Sequence, residues 1–142
     1  MTIHWCGAGL SAIPGLRRLI KEEYDVVVWN RTPAKADAAV GDITNKIRVF
    51  DKGLLQDCLQ KGDIIVSMLP ADWHVPLASL AISKNAHFVS SSYIAPEMRI
   101  LDNEFKKAKL VCINEVGLDP GIDHLMAHKL VTDYRQSENY NI

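Results

Sequence analysis

Short apolar runs alternate along the chain with longer segments of amphipathic, helical periodicity, and this alternation predicts strands joined by helices. Two of the runs, Val26-Val27-Val28 and Ile64-Ile65-Val66, consist entirely of β-branched residues. Such runs are typical of parallel strands that helices cover on both faces. The predicted strands are residues 2–6, 25–30, 46–50, 64–69, 87–90 and 110–114.

The intervening segments predict helices over residues 11–22, 33–40, 53–61, 75–84, 96–108 and about 122–134. Thr32 is predicted to cap the second helix, with Pro33 at its first position, and Asp72 to cap the helix after the fourth strand. Pro14 fits the first turn of a helix starting near Leu10, where its missing N–H breaks no hydrogen bond. Six strands with five crossovers predict an α/β fold of three layers (αβα), a Rossmann-type doubly wound parallel sheet.

The length and charge of the chain narrow the function classes. Its 142 residues suffice for one domain with a core, so residues 1–142 are predicted to form a single domain. The 16 Lys and Arg nearly balance the 17 Asp and Glu, so no overall field would attract nucleic acid or a membrane surface. The sequence has neither an apolar run of the roughly 20 residues that a membrane span needs nor a signal peptide. We therefore predict a cytoplasmic protein with Cys6, Cys58 and Cys112 reduced and buried.

A glycine-rich turn follows the first predicted strand directly. Its sequence, Gly7-Ala8-Gly9-Leu10-Ser11-Ala12, has the G-x-G-x-x-A form of the dinucleotide-binding fingerprint. The first glycine permits a tight turn, the second lets the backbone approach a pyrophosphate, and the alanine lets the helix pack close to the sheet. An anion would then lie at the N-terminus of the helix, where free N–H groups meet the positive end of the dipole. A tight turn without a ligand is the alternative.

The end of the second predicted strand indicates which nucleotide is bound. NAD-specific sites carry an acidic residue about 20 residues beyond the glycines, where it accepts hydrogen bonds from ribose hydroxyls. This chain has Asn30-Arg31-Thr32 there instead, and no carboxylate. Asn30 can bind a ribose hydroxyl, while Arg31 and Thr32 can hold a 2′-phosphate. The pattern favours NADP(H) over NAD(H), although Arg31 in an ordinary solvated turn is the alternative.

The carboxyl ends of the later strands are the other candidate positions, because ligands of open α/β sheets bind there. Asp51 lies where a residue beside the adenine is expected, and Leu69-Pro70 are placed to line the nicotinamide ribose. The run from Ser90 to Tyr93 offers hydroxyl groups at the centre of the crevice. An ordinary polar loop explains that run equally well.

Two longer motifs resemble those of a known protein family. The stretches Ser91-Ser92-Tyr93-Ile94-Ala95-Pro96-Glu97-Met98 and Asn114-Glu115-Val116-Gly117-Leu118-Asp119-Pro120-Gly121-Ile122-Asp123-His124 resemble the saccharopine dehydrogenase family, in particular its NADP-dependent, glutamate-forming branch. The glycine turn, Asn30-Arg31-Thr32 and Leu69-Pro70 follow the order expected of that family. The resemblance therefore covers nearly the whole chain.

The resemblance implies an oxidoreductase of lysine metabolism that transfers hydride between NADP(H) and a secondary amine or imine of amino acids. In the reductive direction, aminoadipate semialdehyde and glutamate would give saccharopine. Two groups of contacts are implied by position. Substrate contacts would come from Ser92, Tyr93 and Asp119, and cofactor contacts from Ala8, Gly9, Leu10, Ser11, Asn30, Arg31, Thr32, Asp51, Leu69, Pro70, Ser91, Gly117 and Leu118.

The resemblance also implies a second domain that binds the amino-acid substrate. We therefore expect this chain to be a fragment that binds the nucleotide without turnover, and its uncovered apolar surface to promote a homo-oligomer. Two alternatives stay open: a non-catalytic NAD(P)-sensing module, and a related dehydrogenase such as carboxynorspermidine synthase. The amino-acid partner, the reaction direction and the catalytic acid or base are not indicated.

Histidines offer a weaker alternative. His124 and His128 are spaced for one face of a helix, as in zinc sites, but the motif lacks the glutamate of H-E-x-x-H and an evident third ligand. No metal is therefore predicted. His4, His74 and His87 have no partners in the sequence pattern that suggest catalysis.

Overall fold

A computed structural model describes residues 1–136 of the chain. Its strands are β1 (Ile3–Cys6), β2 (Val26–Asn30), β3 (Ile47–Val49), β4 (Ile64–Ser67), β5 (His87–Ser90) and β6 (Cys112–Ile113). Its helices are α1 (Ile13–Lys21), α2 (Pro33–Val40), α3 (Lys52–Cys58), α4 (His74–Ser83), α5 (Pro96–Ile100), α6 (Asp102–Ala108) and α7 (Ile122–Gln136), with a 3₁₀ turn at Ala71–Trp73.

All six strands are parallel and form one sheet in the order β3-β2-β1-β4-β5-β6. The strand order reverses between β1 and β4, because the chain first builds outward to β3 and then returns to the other side of β1. This confirms the predicted Rossmann-type sheet. It also places a crevice at the carboxyl ends of β1 and β4, where doubly wound sheets bind their ligands.

The two faces of the sheet have separate cores, which gives the three predicted layers. On one face, Trp5 and Val28 pack with Leu16 of α1 and Val40 of α2. On the other face, the strands pack against α3, α4, α5 and α6. The fully buried side chains of that core include Trp29, Leu55, Ile65, Leu77 and Phe88. Strands covered on both faces explain the β-branched runs in β2 and β4.

The predicted helix over residues 96–108 is wrong in one respect: it is two helices that meet at Leu101. The amide of Leu101 donates to the carbonyl of Met98, a tight i→i−3 hydrogen bond that closes α5. Asp102 and Glu104 then lie in the first turn of α6, where the helix dipole favours acidic side chains.

One predicted cap is confirmed, and one cap and one helix start need correction. Thr32 is the N-cap residue of α2 with Pro33 at the first position, although the Thr32 side chain makes no capping hydrogen bond. Asp72 lies inside the 3₁₀ turn, and Trp73 holds the N-cap position of α4. Helix α1 begins at Ile13 rather than near Leu10, although Pro14 remains in its first turn.

Helix α7 differs from the other helices in its exposure to solvent. No residue of α7 is buried, and apolar side chains such as Leu125 and Leu130 are 70% and 66% exposed. Of the cysteines, Cys6 is buried, whereas Cys58 and Cys112 are only half-buried, so the prediction that all three are buried is wrong. Within residues 1–136, no helix is both long and apolar enough to cross a membrane.

Candidate functional site

The glycine turn after β1 contains two glycines, and only one of them is required by the backbone conformation and packing. Gly7 has a φ of +104°, and a Cβ on it would lie 2.7 Å from the carbonyl oxygen of Met68. The fold itself therefore requires glycine at this position. A Cβ on Gly9, in contrast, would have no atom of the protein within 4 Å. Neither a positive φ nor packing demands glycine there, so the space in front of the Gly9 backbone is open.

Asn30, at the end of β2, connects this turn to the next loop. Its side-chain oxygen accepts a hydrogen bond from the amide of Ala8 at 3.3 Å, and its side-chain nitrogen donates to the carbonyl of Thr32 at 2.8 Å. The amide group thus joins the carboxyl ends of β1 and β2. In this geometry Asn30 holds the glycine turn in place.

A cleft of about 590 Å³ opens in front of the turn. It brings together the predicted residues Gly7, Ala8, Gly9, Asn30, Arg31, Thr32, Asp51, Leu69 and Pro70. It also contains residues that sequence reasoning missed, namely Lys35, Phe50, Lys52, Gly53, Met68 and Trp73. Leu10 and Ser11 lie on the exposed rim of the turn, outside the cleft lining.

Part of the wall of the cleft is positively charged. Arg31 follows β2, and Lys35 lies in the first turn of α2; both side chains are exposed. Among residues 1–136, neither forms an ion pair with an acidic side chain, whereas Arg17 nearby is held by Asp42 at 2.6 Å. Two uncompensated cations in the wall of a cleft form a suitable site for a phosphate group. Lys35 follows Thr32 by three residues, a helical spacing that could have indicated it.

Asp51 lines the cleft from the loop after β3 and has a structural role. Its Oδ1 accepts a hydrogen bond from the amide of Leu54 at 2.9 Å, which caps α3. Beside it, the rings of Phe50 and Trp73 form an edge-to-face pair, with centroids 5.0 Å apart and planes at 89°. The wall of the cleft therefore combines the cationic side chains of Arg31, Lys35 and Lys52 with this aromatic pair.

The ends of β4 and β5 meet at a buried histidine. Nδ1 of His74 lies 2.9 Å from the hydroxyl of Ser67, and Nε2 lies 2.7 Å from the hydroxyl of Ser92. Burial lowers the pKa of His74 below its ordinary value, so the imidazole is neutral at pH 7. The fold thus gives His74 two hydroxyl partners, one of which, Ser92, is a predicted substrate residue.

The other two predicted substrate residues are joined to each other. The hydroxyl of Tyr93 donates to Oδ1 of Asp119 at 2.5 Å, and this hydrogen bond raises the pKa of Tyr93. The Tyr93 ring also faces His124 with centroids 6.2 Å apart. The pair lies at the surface, on the side of the sheet where α7 begins.

Ser91, Gly117 and Leu118 lie in the two loops that follow β5 and β6, outside the main cleft. Backbone hydrogen bonds join these loops, from Val116 to Ser90 and from Glu115 to Ser92. A Cβ on Gly117 would lie 3.7 Å from that of Ser91, so the two are neighbours, while Leu118 is 72% exposed. The structure therefore places the predicted residues in two adjoining groups.

A second cavity, of about 600 Å³, lies at the opposite edge of the sheet near His4 and Asp63. Nδ1 of His4 accepts a hydrogen bond from the indole of Trp29 at 3.1 Å, so Nε2 carries the proton and faces Asp63 at 3.3 Å. Burial lowers the pKa of His4 although Asp63 opposes this. This buried network links three strands of the sheet, far from the carboxyl edge.

His124 and His128 lie on the exposed surface of α7. In the part of the chain that the structure describes, no three His, Cys, Asp or Glu side chains are grouped as metal ligands. The pair therefore gains no third partner from the fold.

Comparison with known proteins identifies related chains. The family model described as the saccharopine dehydrogenase NADP binding domain matches residues 3–113. Saccharopine dehydrogenase (NADP(+), L-glutamate-forming) of Schizosaccharomyces pombe is 33% identical over 136 residues, covering 92% of this chain and 30% of the relative. The Saccharomyces cerevisiae protein of the same name is 35% identical over 135 residues, with the same coverage of both chains.

A solved structure agrees with these matches. The apo saccharopine dehydrogenase (L-Glu forming) from Saccharomyces cerevisiae superimposes with a TM-score of 0.80 at 33% identity, over 95% of this chain and 31% of that one. The chain thus spans about 30% of the length of the curated relatives it matches.

Proposed function

Because this chain belongs to the saccharopine dehydrogenase NADP binding domain family, we propose that it binds NADP(H) in the cleft beside its glycine turn. We propose further that it supplies the cofactor-binding part of an enzyme that interconverts an imine and a secondary amine of amino acids. The substrates would be aminoadipate semialdehyde and glutamate in one direction and saccharopine in the other.

The glycine turn carries this proposal. Gly9 leaves open space where any side chain would project, and Ala8 is held by Asn30 so that the turn keeps its shape. Backbone N–H groups near the N-terminus of α1 can then approach a pyrophosphate directly. A chain folded only for a tight turn would require glycine at Gly7 but not at Gly9.

The charge at the end of β2 supports NADP(H) over NAD(H). Arg31 and Lys35 line the cleft, and no carboxylate stands at the end of β2 to accept from the ribose hydroxyls. A guanidinium and an ammonium group both favour a 2′-phosphate, which only the phosphorylated cofactor carries. Thr32 lies between them and can add a hydroxyl group.

The substrate side has fewer residues, and their roles are to bind and orient. NADPH, when bound, supplies the hydride. Ser92, held by His74, and the Tyr93–Asp119 pair would contact the amino-acid substrate near the ends of β5 and β6. Because the hydrogen bond to Asp119 raises the pKa of Tyr93, the phenol stays protonated at neutral pH. Its proton is donated to Asp119, so the phenol oxygen remains to accept a hydrogen bond from the substrate.

Calorimetric titration with NADPH and NADH tests the proposal on this chain. We expect NADPH to bind more tightly than NADH. Arg31→Ala should cost NADPH roughly 1.5–3 kcal/mol, or about ten- to a hundredfold in Kd, because one charge-assisted phosphate contact is lost. The affinity for NADH should hardly change.

Arg99→Ala is the matched control, since Arg99 is exposed on α5 and lies outside the cleft. It removes the same charge and should leave both affinities unchanged. Equal binding of NADPH and NADH by the unmodified chain would contradict NADP specificity. Absence of binding by either nucleotide would contradict the role of the glycine turn.

A further inference from the structure

The packing of the protein explains only one of the two aromatic side chains in the cleft, because Phe50 packs against the core whereas Trp73 remains exposed. Trp73 is 38% exposed and Phe50 is half-buried, and the two rings meet edge to face within the cleft. Burying a large aromatic side chain stabilises a fold, so a tryptophan that stays exposed in a concave site indicates contact with a ligand.

Trp73 differs from the other two tryptophans in its hydrogen bonding. The indole N–H of Trp5 donates to the carbonyl of Gly7 at 2.9 Å, and that of Trp29 donates to His4. Both of these rings are buried, at 8% and 0% exposure. Within residues 1–136, the indole N–H of Trp73 has no hydrogen-bond acceptor, so both its ring face and its donor remain available.

The covalent structure of the cofactor limits which of its groups can lie against these two rings. One ribose of NADP(H) carries the 5′-pyrophosphate, the 2′-phosphate and the adenine base. If the pyrophosphate lies at the glycine turn and the 2′-phosphate at Arg31 and Lys35, the base must lie next to both. The ends of β3 and β4, which carry Phe50 and Trp73, are the remaining walls of the cleft.

We propose that Phe50 and Trp73 form the wall that binds the adenine base, with Trp73 stacking on it and Phe50 supporting Trp73 from the edge. This inference rests on the proposed binding of NADP(H). It assigns the missed aromatic residues to the purine ring and leaves the basic pair for the 2′-phosphate.

The test uses adenosine 2′,5′-bisphosphate, which contains the adenine, the ribose and both phosphates but no nicotinamide. Base stacking on an aromatic side chain is sequence-tolerant and substantial, so Trp73→Ala should weaken binding of this probe about tenfold. Trp73→Phe keeps an aromatic face and should retain most of the affinity. Phe50→Leu should give a smaller loss than Trp73→Ala, because it removes only the support.

Tryptophan fluorescence gives a second, independent readout. Of the three tryptophans, only Trp73 is open to solvent, so the probe should change the emission of the unmodified chain and not that of Trp73→Phe. Tyr24→Ala is the control for loss of an exposed aromatic side chain, since Tyr24 is 49% exposed and lies away from the cleft.

The outcomes separate the two proposals. Binding of the bisphosphate within about twofold of the unmodified chain by both Trp73→Ala and Phe50→Leu, with unchanged emission on binding, would overturn the adenine wall while NADP(H) binding stands. Absence of binding to the unmodified chain would overturn both proposals. Reduced nicotinamide mononucleotide, which lacks the adenosine, should bind all variants equally.

Discussion

The two halves of the sheet differ in how completely helices cover them. On the face that packs against α1 and α2, Trp5 and Val28 in the β1–β3 half are buried. On the same face of the β4–β6 half, Val89 is only half-buried, and Val111 and Ile113 are 49% and 48% exposed. Strand pairing shows that these residues share one face, because Val89 is in register with Ile113 and Val66.

The order in which successive strands are added to the sheet explains the difference in helix coverage. Parallel strands are joined by right-handed crossovers, so helices lie on one face when the sheet grows in one direction and on the other face when it grows back. Helices α1 and α2 accompany growth toward β3, and α4 to α6 accompany growth toward β6. The return crossover α3 adds Leu55 against the β1–β3 half.

The two halves therefore differ in how much of the sheet the helices of this chain cover. In the half that carries the glycine turn and Arg31, β1 and β2 are packed on both faces, although Val49 of the edge strand β3 is 48% exposed. The half that carries Ser92 and Tyr93 keeps an apolar strip exposed, as does α7. An exposed apolar strip of this kind is typical of an interaction surface, and the proposed substrate residues lie at its margin.

The largest effect that tests this comparison comes from the same substitution made in a packed and in an exposed helix. Leu16 of α1 is fully buried, whereas Leu125 of α7 is 70% exposed. Leu16→Ala should lower the free energy of unfolding by about 3 kcal/mol, because it removes buried methyl groups and leaves a cavity. Leu125→Ala should change it by less than about 0.5 kcal/mol. Urea unfolding monitored by circular dichroism measures both.

Similar losses for the two variants would contradict the difference between the halves. It would mean that α7 packs in solution, either on this chain or on a second copy. Repeating the Leu125→Ala measurement at several protein concentrations separates these cases, because only self-association makes stability depend on concentration.

Much of the fold could be predicted because parallel strands leave local signals. The β-branched runs locate β2 and β4, and the glycine turn locates the end of β1. The break at Leu101 could not be predicted, since neither glycine nor proline marks it. The hydrogen bond from Leu101 to Met98 that closes α5 becomes visible only in the structure.

Some residues of the candidate site could likewise be predicted from the sequence, and others could not. Gly7, Gly9 and Arg31 could be predicted because each satisfies a demand of its own short segment: a turn, an open backbone or a charge at a strand end. Phe50 and Trp73 could not, because they lie in different loops and meet only after β3 and β4 take their places in the sheet. The contacts of His74 depend on tertiary structure in the same manner.

A smaller effect on stability is expected to distinguish Gly7 from Gly9 in the glycine turn. Gly7→Ala should lower the free energy of unfolding by about 2 kcal/mol, because φ is positive and the new Cβ would press on the carbonyl of Met68. Gly9→Ala should leave stability within about 0.5 kcal/mol and abolish NADPH binding, since its methyl group would project into the open space before the turn.

Gly15→Ala is the control for these variants. A Cβ on Gly15 would make an ordinary contact of 3.7 Å with Trp5, so neither stability nor binding should fall. Undiminished NADPH binding by Gly9→Ala would show that the pyrophosphate does not approach this backbone.

The smallest effect we expect is a pH dependence from the buried histidine at the margin of the exposed half. In the unfolded chain, His74 takes up a proton near its ordinary pKa of about 6.5, whereas burial lowers its pKa in the folded protein. Between these two values the unfolded chain binds more protons, so stability is complete above about pH 6.5 and falls as the pH decreases below it. Titration of the His74 imidazole by ¹⁵N-resolved NMR measures the folded-state value directly. A His74 pKa at or above 6.5 would show that the site of Ser67 and Ser92 is open to water, and that the exposed half of the sheet extends as far as the proposed substrate residues.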